Sequence, residues 1–402
     1  MRSGNPAELL RSPALRASCA YGLGGLGFAL GTLLLGRSLP VLEFALFSLV
    51  LSLVQLGIPL GPIGLNVIII RNQLDPDPDL LIKVLFTSST VGLVLAVIGN
   101  ALYEIGPLLL FLLLASIIGG AAGLLAAAYY QRKHRFGPSL SLTQGPNVLI
   151  LLAALVPSAI HLERAWVPCL VVALVYVAFA ASGWRGLLTE GGEAQSAAPF
   201  PWHEGLTIVG AQAAQLLMIQ LERLVIPMVL AVEDLATFAV LAAIVGSPFR
   251  ILQQGVGHTL LPRLLAAKSS RERNRLLLIE GATVTFVMAL ICAVVWLVTP
   301  LLVDWFLEGR YTLAPALVLA ALISGLAKVL TAFGSTIVGA IGSTKALHGL
   351  TVLSWGGVAL GLAGAVIGAR WGLIGLVYGV GAGWLAQGLA SLILAYHGLR
   401  RL

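Results

Sequence analysis

Gly106-Pro107-Leu108-Leu109-Leu110-Phe111-Leu112-Leu113-Leu114-Ala115-Ser116-Ile117-Ile118-Gly119-Gly120-Ala121-Ala122-Gly123-Leu124-Leu125-Ala126-Ala127-Ala128-Tyr129-Tyr130 runs for 25 residues without a charge. Wound as a helix at about 1.5 Å per residue, it exceeds the roughly 30 Å hydrocarbon core of a bilayer and satisfies its own backbone hydrogen bonds. Runs of the same kind recur on both sides of it. The first half of the chain predicts spans near 17–35, 41–70, 81–101, 106–130, 140–160 and 166–184. The second half predicts spans near 205–231, 235–261, 276–303, 313–341, 346–368 and 371–397. The fold class is an all-α membrane protein of about 12 transmembrane helices.

Composition agrees with that reading. Of 402 residues, 58% are hydrophobic and only 10% charged, with a mean hydropathy of +0.98, where soluble domains carry about a quarter charged residues. The net charge of +7 implies no nucleic-acid partner, because the Lys and Arg residues lie mostly between the apolar runs and report orientation. About 17 of the 24 fall in loops on one side, and only Arg37, Arg164, Arg310 and Arg370 fall on the other. The basic side is cytoplasmic by the positive-inside rule, so both termini are expected there. Cys19, Cys169 and Cys292 lack metal-ligand spacing and read as packing residues.

Between Arg185 and Trp202 lies the most polar, least periodic stretch, with Gly191, Gly192, Pro199 and Pro201. It divides the chain into an N-terminal lobe of six helices (1–186), a cytoplasmic linker (187–203) and a C-terminal lobe of six helices (204–402). A faint repeat supports the division. Glu43-Phe44-Ala45-Leu46-Phe47 opens the second span and Asp234-Leu235-Ala236-Thr237-Phe238 the eighth, each acid suiting the positive end of a helix dipole. Each also precedes a long span with a central proline, Pro59 or Pro248. Glycine clusters such as 379–383 read as close helix packing. The segment Gly57-Ile58-Pro59-Leu60-Gly61-Pro62 reads as a hinge, with Gly57, Pro59 and Pro62 its key positions.

Charges inside the spans are the sharpest chemical signal, since each costs roughly 2.5–3.5 kcal/mol at mid-bilayer. Glu222 and Arg223 fall in the seventh span, Arg250 in the eighth and Lys328 in the tenth. As substrate-binding residues, Arg223, Arg250 and Lys328 would face a water-filled cavity and attract a phosphate or pyrophosphate, for which the guanidinium fork is suited. As structural residues, they would pair locally with Glu222 or snorkel. Gln220 and Gln254 could bond sugar hydroxyls, or bond only between helices. Glu222 is the carboxylate placed for coupling to an ion gradient, or for plain charge pairing. No nucleotide loop, metal cluster or nucleophile-base pair is present in the sequence, so no cofactor, no metal and no enzymatic activity are expected.

Several segments together resemble the polysaccharide-repeat-unit (O-antigen type) flippases of the multidrug/oligosaccharidyl-lipid/polysaccharide exporter superfamily. They are Ser38-Leu39-Pro40-Val41-Leu42-Glu43, Gln220-Leu221-Glu222-Arg223-Leu224, Leu260-Leu261-Pro262-Arg263-Leu264, Phe306-Leu307-Glu308-Gly309-Arg310-Tyr311, Gly339-Ala340-Ile341-Gly342-Ser343-Thr344-Lys345 and Trp371-Gly372-Leu373-Ile374-Gly375. They occur in the family's order along nearly the whole chain. The resemblance implies an inverted-V transporter whose two lobes enclose a cationic cavity, and a polyprenyl-pyrophosphate-linked oligosaccharide as cargo. It also implies a bacterial inner membrane location, with membrane lipids and polysaccharide polymerase or glycosyltransferase machinery as partners. Members of the family often carry Asp where Glu222 stands, and the two extra helices of a lipid II flippase are absent here. A drug or cation antiporter of the same superfamily is the alternative, although such a protein is expected to present carboxylates rather than cations. A membrane glycosyltransferase or ligase would need a larger external loop than the roughly ten residues available in this sequence.

Overall fold

The structure, a computed structural model, describes residues 13–72, 78–160, 163–189, 202–267 and 269–399. Among these residues the chain is helical, with short turns and no strand. The first helices are α1 (Pro13–Ser38), α2 (Val41–Leu60), α3 (Leu65–Asn72), α4 (Pro78–Tyr103), α5 (Pro107–Arg132), α6 (Phe136–Ile160) and α7 (Trp166–Thr189). They are followed by α8 (Trp202–Val229), α9 (Val232–Leu241), α10 (Ser247–Ala266), α11 (Ser270–Leu301), α12 (Pro315–Ile341), α13 (Thr344–Gly368) and α14 (Gly372–Leu399). Their starts follow local chemistry. Proline opens α5 and α12, where its missing N–H costs nothing, and the Ser269 and Ser343 hydroxyls accept from Glu272 N and Ala346 N at the heads of α11 and α13.

Ten stretches are long and apolar enough to cross a membrane. One of them, Lys345–Gly398, contains both α13 and α14, joined by a single 3-10 turn over Ala369–Trp371. The rod that escapes this class is α8. Its 28 residues span about 42 Å, but they include Gln212, Gln215, Gln220, Glu222 and Arg223. Twelve rods of membrane length therefore occur among the described residues, and the protein is a multi-pass membrane protein.

The second span is not one continuous helix, and the ninth starts outside its expected bounds. The second breaks over 61–64, where Ile63 (φ 47) and Gly64 (φ 74) adopt left-handed backbone and turn bonds run from Ile63 N to Leu60 O and from Leu65 N to Pro62 O. Pro59 and Pro62 withhold two N–H donors here, which leaves the helical ladder unable to continue. Gly57 lies inside the regular part of α2, packed against Ile117. The ninth span begins earlier than expected. The charged segment from 270 onward forms the first turns of α11, headed by the Ser269 cap and tied to α10 by an Arg263–Glu280 ion pair.

Packing divides the chain into two compact units, Met1–Leu216 and Leu217–Leu402, and the division falls within α8. Most of the polar stretch expected to serve as linker, 190–201, lies outside the described residues. In the first unit α1 packs on α6 and α5 on α7. Trp184 Nε1 donates to Ala122 O at 2.9 Å and Tyr130 OH to Gly183 O at 3.2 Å, which ties α7 to α5. Glu43, read in the sequence as a dipole partner, does more. Its carboxylate accepts from Ala165 N at 2.7 Å and Arg164 Nη1 at 3.1 Å, clamping the start of α2 to the start of α7.

In the second unit α12 packs on α10 and α14, and α13 on α14. The α13–α14 seam is made of glycine. A Cβ on Gly379 would lie 2.0 Å from Gly364 O and one on Gly368 2.1 Å from Gly375 O, so the two backbones touch directly in the small-residue manner of membrane helices.

Candidate functional site

The second unit contains a cavity of about 70 Å³ lined by Glu222 and Arg223 of α8, Arg250 and Gln253 of α10, and Ser324 and Lys328 of α12. Three cations and one carboxylate, far apart in the sequence, thus meet at one place. Glu222 is 2% exposed and Arg223 4%. The Lys328 ammonium donates to Glu222 Oε1 at 3.0 Å and stands 5.7 Å above the ring of Trp384 from α14. That ring supplies a further contact for the cation. Arg223 lies within Coulombic reach of both Arg250 and Glu222.

Local irregularities aim these side chains. Between α9 and α10 the chain makes a π-turn over Ala242–Gly246, which changes the register of everything after it. Phe249, 1% exposed, then seats against α12 where Gly325 leaves room, since a Cβ there would meet the ring at 2.4 Å. The neighbouring Arg250 lines the cavity from this fixed backbone. The π-turn of the eighth span lies before its central proline, Pro248, and the break of the second span lies after Pro59, so the two irregularities fall at different places in the faint sequence repeat.

Of the positions singled out in the sequence, Arg223, Arg250, Lys328 and Glu222 come together. Gln220 is buried but does not line the cavity. Of the adjacent pair at 253 and 254, Gln253 lines it while Gln254 is exposed elsewhere on the helix. Ser324 and Trp384 were not singled out. Ser324 is 3% exposed with its Oγ lacking any hydrogen-bond partner, and it lines the cavity. The signal that could have found it is its place one turn before Lys328, on the same face of the helix. Among the described residues no group of His, Cys, Asp and Glu is arranged to hold a metal.

The arrangement carries two more positive than negative charges in a largely desolvated space. Such a space favours an anion with several acceptor oxygens, which the two guanidinium forks can engage in pairs. In this conformation the cavity is well below the roughly 300–1,000 Å³ of ordinary ligand pockets, so it admits waters or the charged end of a larger molecule.

No protein-family model matches the chain, and no curated protein sequence matches it. Solved structures do. The lipid II flippase MurJ in an inward closed conformation superposes with a TM-score of 0.70 at 13% identity, over 94% of this chain and 87% of that chain. An outward-facing multidrug resistance MATE family transporter of the MOP superfamily gives 0.62 at 12% identity, over 100% of this chain and 99% of that chain. The Vibrio cholerae MATE transporter VcmN in its bent form gives 0.58 at 16% identity, over 98% of both chains. The chain shares its fold with these flippase and transporter structures.

Proposed function

We propose that this protein is an alternating-access flippase that moves a polyprenyl-pyrophosphate-linked oligosaccharide across a bacterial inner membrane for cell-surface polysaccharide synthesis. The observation that carries the reading is the convergence of Arg223, Arg250 and Lys328 on one cavity, within a fold shared with a lipid II flippase. The arginine forks take the pyrophosphate, Lys328 and the Ser324 hydroxyl complete the contact, and Gln253 stands nearest to the first sugar. The cavity widens to admit the sugar, because its present size takes the charged end alone. Glu222 offsets the cations while the site is empty and couples the cycle to an ion gradient. The break after Pro59 supplies a bend in the N-terminal lobe. Both termini lie in the cytoplasm, as the distribution of Lys and Arg demands. Enzymes that build or polymerise the glycan are the partners, along with the membrane lipids.

A drug or cation antiporter is the alternative, and the likeness to MATE transporters favours it. The excess positive charge weighs against it, since a cationic drug would be repelled from this cavity. Reconstitution decides between the two. Vesicles holding the protein and a labelled polyprenyl-pyrophosphate sugar should exchange the label between leaflets, and Arg223→Ala should abolish the exchange. Drug efflux without exchange would reverse the assignment.

A further inference from the structure

A larger hollow of the C-terminal unit lies between the end of α11 and the start of α12. It measures about 600 Å³, within the range of ordinary ligand pockets. In its first half α11 is packed, with Leu277 and Val284 leaning on a buried cluster that contains Leu264 of α10 and Ile337 of α12. Its second half is looser. It touches α12 only sparingly, and Leu297 and Leu301 are 70% and 67% exposed. The connection to α12 is by contrast tightly folded. After a π-turn over Leu302–Phe306, Leu307 N donates to Leu302 O at 3.0 Å and Gly309 N to Val303 O at 3.1 Å. Glu308 and Gly309 take left-handed backbone to make this bend, and Leu307 and Tyr311 are buried beneath it. A fixed loop thus forms the end wall of a wedge between two helices.

The lining of the wedge is graded. Trp296, Pro300 and Val318 present apolar surface from the two helices, while Asp304, Tyr311 and Thr312 supply polar groups toward the loop. Asp304 is the one lining residue charged at neutral pH. It is exposed and takes no part in the ion pairs found among the described residues. Arg310 follows on the same loop, within Coulombic reach of the Tyr311 phenol, and Glu308 stands two residues before it. Beside Asp304, Trp305 is 82% exposed, and tryptophan in such a place settles at the level of the lipid headgroups. An apolar slot ending at headgroup depth in a carboxylate, an arginine and a hydroxyl matches an amphiphile whose head carries both signs of charge. A wholly anionic head, pyrophosphate included, would be set against Asp304 and Glu308. A free lipophilic cation would have no group for Arg310.

We infer that this wedge seats one membrane phospholipid whose head carries a primary ammonium beside its phosphate, the phosphatidylethanolamine class, with one acyl chain lying between α11 and α12. The ammonium donates to the Asp304 carboxylate, the phosphate faces Arg310 and the Thr312 hydroxyl, and the chain runs past Pro300 toward Trp296 and Val318. Each end of the lipid then meets its own kind of surface, and the charge-assisted contact at Asp304 fixes which lipid is taken. In the orientation proposed above, the head lies in the outer leaflet. The seat borders the charged cavity without sharing a lining residue with it. Val318 of the wedge and Ala321 of the cavity are one turn apart on one face of α12. The inference does not depend on what the cavity carries.

The test is native mass spectrometry of the full chain released from detergent with added phosphatidylethanolamine or phosphatidylglycerol, together with labelling by a phosphatidylethanolamine that bears a diazirine on its acyl chain. One phosphatidylethanolamine per chain should be retained, with phosphatidylglycerol held roughly tenfold more weakly, and the diazirine should mark peptides covering 296–303 and 314–318. Asp304→Asn, at an exposed position, should weaken retention of phosphatidylethanolamine roughly tenfold, the equivalent of one charge-assisted hydrogen bond. Ala314→Trp fills the slot from its exposed rim and should abolish both retention and labelling. Thermal unfolding of the lipid-free protein should be the same in both variants as in the wild type, which separates loss of the seat from loss of the fold. Equal retention of the two lipids, or retention indifferent to Asp304→Asn, would overturn the headgroup assignment. Labelling that survives Ala314→Trp would overturn the seat itself. Displacement of the lipid by an equimolar lipophilic cation, tetraphenylphosphonium, would overturn the inference by making the wedge a drug site. The flippase reading is judged separately, by Arg223→Ala in the leaflet-exchange assay.

Discussion

Removal of the Glu222 carboxylate should destabilise the protein more than removal of its direct partner. The pair is close, with Lys328 Nζ 3.0 Å from Glu222 Oε1, yet the two side chains differ in surroundings, at 2% exposed for Glu222 and 25% for Lys328. Glu222→Gln leaves Arg223, Arg250 and Lys328 facing one another without any negative charge among the lining residues. Stranding buried charge in this way costs about 3–5 kcal/mol. Lys328→Met leaves Glu222 within reach of Arg223 and Arg250, and it removes a cation that is partly solvated, so about 1–2 kcal/mol is expected. Inorganic pyrophosphate should restore much of what Glu222→Gln loses. A ligand at a hundredfold excess over its Kd returns about 2.7 kcal/mol. The assay is denaturant unfolding of purified protein in detergent, with and without pyrophosphate. A larger loss in Lys328→Met, or a Glu222→Gln protein indifferent to pyrophosphate, would refute the charge accounting and the anion site with it.

Arg223→Ala and Arg250→Ala should each abolish leaflet exchange while membrane abundance stays near normal, measured by immunoblot beside the vesicle assay. Arg250→Lys should recover little, because a single ammonium cannot replace the paired donors of the fork. Gly379→Leu should force α13 and α14 apart, since even a Cβ would lie 2.0 Å from Gly364 O; a loss of about 3 kcal/mol or more in denaturant unfolding is expected. Glu43→Ala removes a charge-assisted bond to Ala165 N and should cost about 1.5–3 kcal/mol. Arg164→Ala, which touches only the exposed half of the same clamp, should cost under about 1 kcal/mol in that measurement.

The helices were legible in the sequence because a membrane permits so few alternatives. A run such as 106–130 can only cross as a helix, and the rods observed begin and end within a few residues of the runs. The irregularities were less legible. Pro59 and Pro62 announced a disturbance, but a proline does not say where the backbone turns left-handed, and the break settled at Ile63 and Gly64. The π-turn at 242–246 ends at Gly246, two residues before Pro248, and that proline marked a disturbance of the span without saying that one extra residue would be taken into a wider turn. For the site, the intramembrane charges were visible at once because each is costly, whereas their convergence depends on which face of each rod meets its neighbour. That is why Gln253 rather than Gln254 lines the cavity. Ser324 was overlooked for the opposite reason: a single hydroxyl in a membrane helix is common, and only its place in the cavity makes it noteworthy.

The glycine seam between α13 and α14 carries a mechanical corollary. Side chains that interdigitate can exchange partners as helices slide, but main chains in direct contact must first separate, giving up their close dispersion contacts all at once. The two rods therefore behave as one stiff plank. Whatever enlarges the cavity must come from the opposite wall, where the extra residue of the π-turn gives the eighth span slack that no straight helix possesses.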